Sequence, residues 1–151
     1  MSFWLEQAVQ FAVAMLATMC FGLTFNVDKR HFIACGLTGA VGWLVYCIAN
    51  GLLGLSAPAA TLLAALPLTA AARLFAIRHR APVTVFLLCG IFPLVPGAGI
   101  YYTAYYFLQG DNNLCAIRGF EPLKVAVALA LGIAMVCSVP LRTGERKRPK
   151  N

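Results

Sequence analysis

Charge is scarce in this chain. Only 11% of its residues are charged against 61% hydrophobic, about half the charged fraction of an ordinary soluble domain, so much of its surface must face lipid rather than water. The acidic residues are Glu6, Asp28, Asp111, Glu121 and Glu145. All five fall at expected helix ends or loops, which excludes a carboxylate proton relay at the middle of a span. The two histidines, His31 and His79, flank expected helices on one side, where water or lipid headgroups are their expected partners. Six cysteines are present without a CxxC pair, which argues against a metal or dithiol site. Cys20, Cys35, Cys47, Cys89 and Cys137 sit inside apolar runs and read as small packing residues. Cys115 falls in an expected loop without an evident partner. No nucleophile–base pair, phosphate loop or metal cluster emerges from the motifs, so neither an enzyme nor a cofactor is expected. The N-terminus has no basic n-region and carries Glu6, and Ala17-Thr18-Met19 before Cys20 is a poor lipoprotein box. The first helix is therefore expected to be retained.

What is present is a set of uncharged runs: Gln7 to Val27, Phe32 to Ala72, Ala81 to Gly110 and Val125 to Leu141. A crossing takes about 20 apolar residues. The run from Phe32 to Ala72, about 60 Å long as one helix at about 1.5 Å per residue, must therefore turn. Asn50-Gly51, Gly54 and Ser56-Ala57-Pro58 supply the turn, with Ser56 as a cap and Pro58 in a first helical turn. The expected fold is an all-α integral membrane domain over residues 1–141 with five spans, about 5–26, 31–53, 57–77, 82–108 and 122–141, followed by a basic tail over 142–151.

Basic residues fix the expected orientation, because Lys and Arg near helix ends stay cytoplasmic. Five spans put Lys29, Arg30, Arg73, Arg78, Arg80, Arg142, Arg146, Lys147, Arg148 and Lys150 on one side and only Arg118 and Lys124 on the other. The N-terminus is expected outside and the C-terminus inside. A re-entrant fourth segment would reduce the split to seven against five. The net charge of +7 then reflects this topology and a tail near anionic lipid. Nucleic acid is a poor partner for a chain without an aromatic-basic platform.

Two stripes of small residues mark helix faces that can approach closely. One is Gly36, Gly39 and Gly42; the other is Ala57, Thr61, Ala65, Thr69 and Arg73, with Ala60, Ala64 and Ala72 beside it. Packing explains both. A sharper reading has Thr61 and Thr69 lining a pathway that ends at Arg73, whose guanidinium attracts an anionic substrate. The fourth segment is more informative still. Phe92-Pro93-Leu94-Val95-Pro96-Gly97-Ala98-Gly99 combines two residues that remove backbone donors with two that loosen a helix, so a continuous helix is not expected. Breaks of this kind in transporters expose half-helix ends and carbonyls to a substrate or ion. Pro93, Pro96, Gly97 and Gly99 are thus candidate substrate-site residues. Tyr101 and Tyr102 extend the site, while Tyr105 and Tyr106 suit an outer aromatic belt.

Phe25-Asn26-Val27, the glycine-rich stretch from Cys35 to Tyr46, Pro122-Leu123 and above all the PxxPGAGxYYT stretch from Pro93 to Thr103 resemble the threonine/serine exporter (ThrE) family. The likeness is to its small YjjB-like component, which corresponds to the C-terminal membrane half of the single-chain exporters. It covers roughly Phe3 to Pro140. The resemblance implies a bacterial inner-membrane subunit that pairs with a larger complementary subunit to export threonine, serine or related small carboxylates, driven by the proton motive force. The competing expectation is a membrane scaffold that packs on a partner without transporting.

Overall fold

The computed structural model describes residues 3–140, and the expected basic tail from Arg142 to Lys150 lies outside the described residues. All regular structure among the described residues is helical: α1 (Phe3–Thr24), α2 (Phe32–Gly51), α3 (Ala57–His79), α4 (Val83–Ile91), α5 (Gly97–Leu108) and α6 (Asn112–Ser138), with short 3-10 turns at Lys29–His31 and Phe92–Leu94. Helices α1, α2, α3 and α6 are each long and apolar enough to cross a membrane. The pair formed by α4 with its 3-10 turn and α5 is bent by 64° at the break, and counting it as one span gives five.

Local chemistry sets the ends of these elements. Asn26 takes a left-handed conformation after α1 (φ 53), a role asparagine fills with little penalty. Asp28 then accepts from the Arg30 amide to open the next turn. Between α2 and α3, Gly54 has φ +60 and the Asn50 side-chain amide donates to the Leu55 carbonyl at 3.0 Å, closing the turn expected there.

Small residues bring the backbones together, as lipid-embedded packing requires. A Cβ on Gly39 would lie 2.1 Å from Thr18 Oγ1 of α1, and one on Gly42 would lie 2.5 Å from Leu68 Cδ1 of α3. Gly90 of α4 meets Thr38 of α2, and Gly132 of α6 meets Ala65 of α3, equally closely. The core formed this way has two parts: Cys35, Ala72, Phe86 and Cys89 in one, and Ala64, Ala65, Leu68, Leu94 and Leu129 in the other. Helix α5 stands apart, packing chiefly on α6 and burying none of its own residues.

Two expectations need correcting. The last helix starts at Asn112, ten residues before the expected 122, because Gly110 (φ +77) ends the preceding turn and Asp111 caps the new helix by accepting from the Leu114 amide at 3.0 Å. Glycine after a helix and aspartate before the next is a stop-and-start signal, and it places Cys115 and Glu121 on a helix rather than in a loop. His31 is also not solvated. It is buried at the start of α2, edge-on to His79 at 5.1 Å and to Phe86 at 5.5 Å between ring centroids. Its Nδ1 has no hydrogen-bond partner.

Candidate functional site

The break that separates α4 from α5 is built by its prolines. The 3-10 turn Phe92–Leu94 carries Pro93 near its start and closes where the Val95 amide donates to the Phe92 carbonyl at 3.2 Å. Val95 is extended (φ −67, ψ 129), as a residue preceding proline should be. Pro96, at φ −77 and ψ 59, centres an inverse γ-turn in which the Gly97 amide donates to the Val95 carbonyl at 2.8 Å. Helix α5 then begins with no side-chain cap. Phe92 is held from the other side by Phe21 of α1, stacked at 3.9 Å.

This turn forms one wall of a cavity of about 320 Å³, at the lower end of the range for small-molecule sites. Trp43 and Tyr46 of α2, Ala57 and Thr61 of α3, the stretch Pro93–Gly99, and Glu121, Pro122 and Val125 of α6 complete the lining. The rings of Trp43 and Tyr46 stack with 5.3 Å between centroids and 21° between planes. The Trp43 indole N–H donates to Gln10 Oε1 of α1 at 3.0 Å, fixing the ring. Thr61 turns its hydroxyl back onto the Ala57 carbonyl at 2.8 Å. The surface offered to a ligand is therefore apolar and aromatic, with peptide groups of the break and one carboxylate, that of Glu121. It contains no serine, cysteine or histidine, an arrangement suited to holding a small solute.

Of the residues singled out in the sequence, the structure brings Thr61, Pro93, Pro96, Gly97 and Gly99 together on this cavity. Tyr101 and Tyr102 lie on the exposed surface of α5, edge to face at 5.4 Å, and do not line it. Thr69 is wholly buried in α3 with its hydroxyl unpartnered. Arg73 lies towards the other end of the bundle, where its guanidinium donates to the carbonyls of Val136 and Val139. These carbonyls belong to the C-terminal end of α6, where cations and donors are favoured. Arg73 thus caps a helix at a site separate from the cavity.

Glu121, Trp43 and Tyr46 were not singled out by the motifs. Glu121 is hidden in sequence because its contact with the break depends on α6 continuing N-terminally past Pro122, which the Gly110-Asp111 signal encodes. Trp43 and Tyr46 share an i,i+3 helix face, but nothing local says which neighbour that face meets. Among the described residues no group of three His, Cys, Asp or Glu side chains is placed to hold a metal ion.

Residues 10–139 match the family described as threonine/serine exporter, ThrE. The chain is also 31% identical over 134 residues to a probable threonine/serine exporter of Mycobacterium tuberculosis, an alignment covering 87% of this chain and 25% of that protein. The chain thus spans about a quarter of the length of that relative. No solved structure matches it. The family match takes in the paired proline break, the aromatic face of α2 and the α6 residues that close the cavity, and with these helices apolar enough to cross a bilayer, the chain belongs to the threonine/serine exporter family of multi-pass membrane proteins.

Proposed function

We propose that this chain is the membrane subunit of a two-component secondary exporter of threonine, serine or related small carboxylates in the bacterial inner membrane, driven by the proton motive force. The observation that carries the proposal is the cavity at the Pro93–Gly99 break. A substrate there meets peptide groups of a broken segment, the device by which transporters hold small polar solutes at membrane depth. The bent pair α4–α5 serves as the fourth of five crossings, with the N-terminus outside and the C-terminus inside.

A complementary subunit is supported by two features. The relative is about four times as long as the aligned region, and among the described residues Glu121 is the one carboxylate lying beyond the first turn of a candidate span, which leaves few groups of this chain for proton coupling. The rival reading, a scaffold offering its glycine stripe to a partner, has less to stand on. Gly36, Gly39 and Gly42 are already occupied within the chain by Met15 and Met19, Thr18, and Leu68 respectively.

Reconstitution tests the proposal. Proteoliposomes holding this chain alone are expected to show no saturable threonine or serine flux, and those holding it with the complementary subunit are expected to show flux that collapses with the proton gradient. Robust flux from the single chain would remove the two-component arrangement. Absence of flux from the assembled pair would remove transport.

A further inference from the structure

Resting on the reading of this cavity as the substrate site, we infer that it recognises its substrate by a primary ammonium group, held between the Glu121 carboxylate and the stacked rings of Trp43 and Tyr46. Glu121 is the one charged side chain in the lining. The two aromatic residues sharing the cavity offer negative ring faces, which attract cations. Both features therefore favour positive charge, and neither favours a carboxylate. The Lys124 ammonium already pairs with Glu121 Oε1 at 3.2 Å, which shows the carboxylate in use by a primary amine. That pair is an exposed i,i+3 contact of the kind that contributes little, so a substrate ammonium can take its place. The indole is anchored by Gln10 at 3.0 Å, so the aromatic face is set before a ligand arrives, which lowers the cost of binding.

This selects among the proposed substrates. An amino acid fits; a small dicarboxylate without an amine meets a site whose only formal charge repels it. An inorganic cation shares the same chemistry, so the test must separate the two.

The chain has two tryptophans, and in a Trp4→Phe variant in lipid nanodiscs Trp43 is the sole indole reporter. Its fluorescence is expected to change saturably with L-serine and with 2-aminoethanol, and not with lactate, succinate or sodium chloride at constant ionic strength. In the same background Glu121→Gln should weaken the amine titrations about tenfold or more, the scale of one lost charge-assisted contact, and Glu121→Asp should weaken them less. The inference is overturned if lactate titrates like serine, if sodium reproduces the amine response, if Glu121→Gln binds as the parent does, or if no amine produces a response. Threonine efflux from cells carrying the whole exporter separates this from the underlying reading. Normal half-saturation with Glu121→Gln sinks ammonium recognition and leaves the exporter standing, whereas no efflux with the parent chain sinks the exporter reading itself.

Discussion

Gly99 lies against the ring of Pro122, so close that a methyl group at position 99 would come within 2.9 Å of Pro122 Cγ and 3.2 Å of its Cβ. This contact joins the start of α5 to the middle of α6, and one turn further along Thr103 meets Gly119 in the same way. Because α5 buries none of its residues, its position depends on a few such close approaches. Gly99→Val is therefore expected to destabilise the protein by about 1–3 kcal/mol, the usual cost of overpacking a tight contact. A thermal-unfolding series in detergent checks it. Pro122→Ala should relieve part of the loss in the double variant, since the clash is with the ring itself. Equal destabilisation by Gly99→Val with and without Pro122 would show that the ring is not what confines Gly99.

Gly97, two residues earlier, behaves differently. A Cβ there meets nothing within 4 Å, although the residue lines the cavity. Gly97→Val should leave stability within about 0.5 kcal/mol, as for a substitution that touches no packed neighbour. It should still lower threonine efflux per assembled complex, because the added methyls enter the space proposed for substrate. Comparing efflux normalised to complex with the thermal midpoint decides the matter. Near-normal efflux per complex would mean that the break serves packing alone.

Arg73 is expected to be a stability residue. Its guanidinium satisfies the carbonyls of Val136 and Val139 at the end of α6. Arg73→Met keeps the aliphatic stem and deletes these donors, and should cost about 1–3 kcal/mol, the range for charge-assisted hydrogen bonds. Protein abundance and total efflux should fall together while half-saturation for threonine stays unchanged. A raised half-saturation constant at normal abundance would restore Arg73 to the substrate pathway.

How much of this was legible can be judged residue by residue. The turn at Asn50–Pro58 was readable because it rests on local chemistry, a proline, an asparagine and glycines within nine residues, although Ser56 at the head of α3 makes no side-chain capping bond. The proline-glycine stretch between Phe92 and Gly99 was readable as an interruption for the same reason. The early start of α6 was also encoded locally, in Gly110-Asp111, but Arg118, Glu121 and Lys124 delayed the uncharged run to Val125 and masked it. Burial of His31, capping by Arg73 and the meeting of Trp43, Tyr46 and Glu121 were not legible. Each depends on which helix lies beside which, and small-residue stripes announce a close approach without naming the partner. The stripe ending at Arg73 illustrates this: its spacing was correct for a helix face, but only Ala57 and Thr61 reach the cavity, while Ala65 packs on Gly132 of α6 and Arg73 caps the end of that helix.

The last prediction concerns the bent pair and the side on which α6 begins. Helix α4 with its 3-10 turn rises roughly 19 Å and α5 about 18 Å. With the 64° bend between them, the pair reaches about 27 Å along the direction of α4, close to the roughly 30 Å hydrocarbon thickness. A crossing is thus geometrically available, with residues around Gly110 at the far face. Charge favours it as well. A crossing leaves only Arg118 and Lys124 outside against ten basic residues inside, whereas a re-entrant pair would move Arg142, Arg146, Lys147, Arg148 and Lys150 outside and leave seven against five. Cationic loops resist translocation, so the crossing is the favoured arrangement. Topology reporters inserted at Asn112 and fused after Asn151 should therefore report opposite sides, outside and inside respectively. Both α6 ends must lie on opposite faces in either arrangement, so the absolute side is the decisive readout: Asn112 found inside and Asn151 outside would establish the re-entrant pair and overturn the five-span reading.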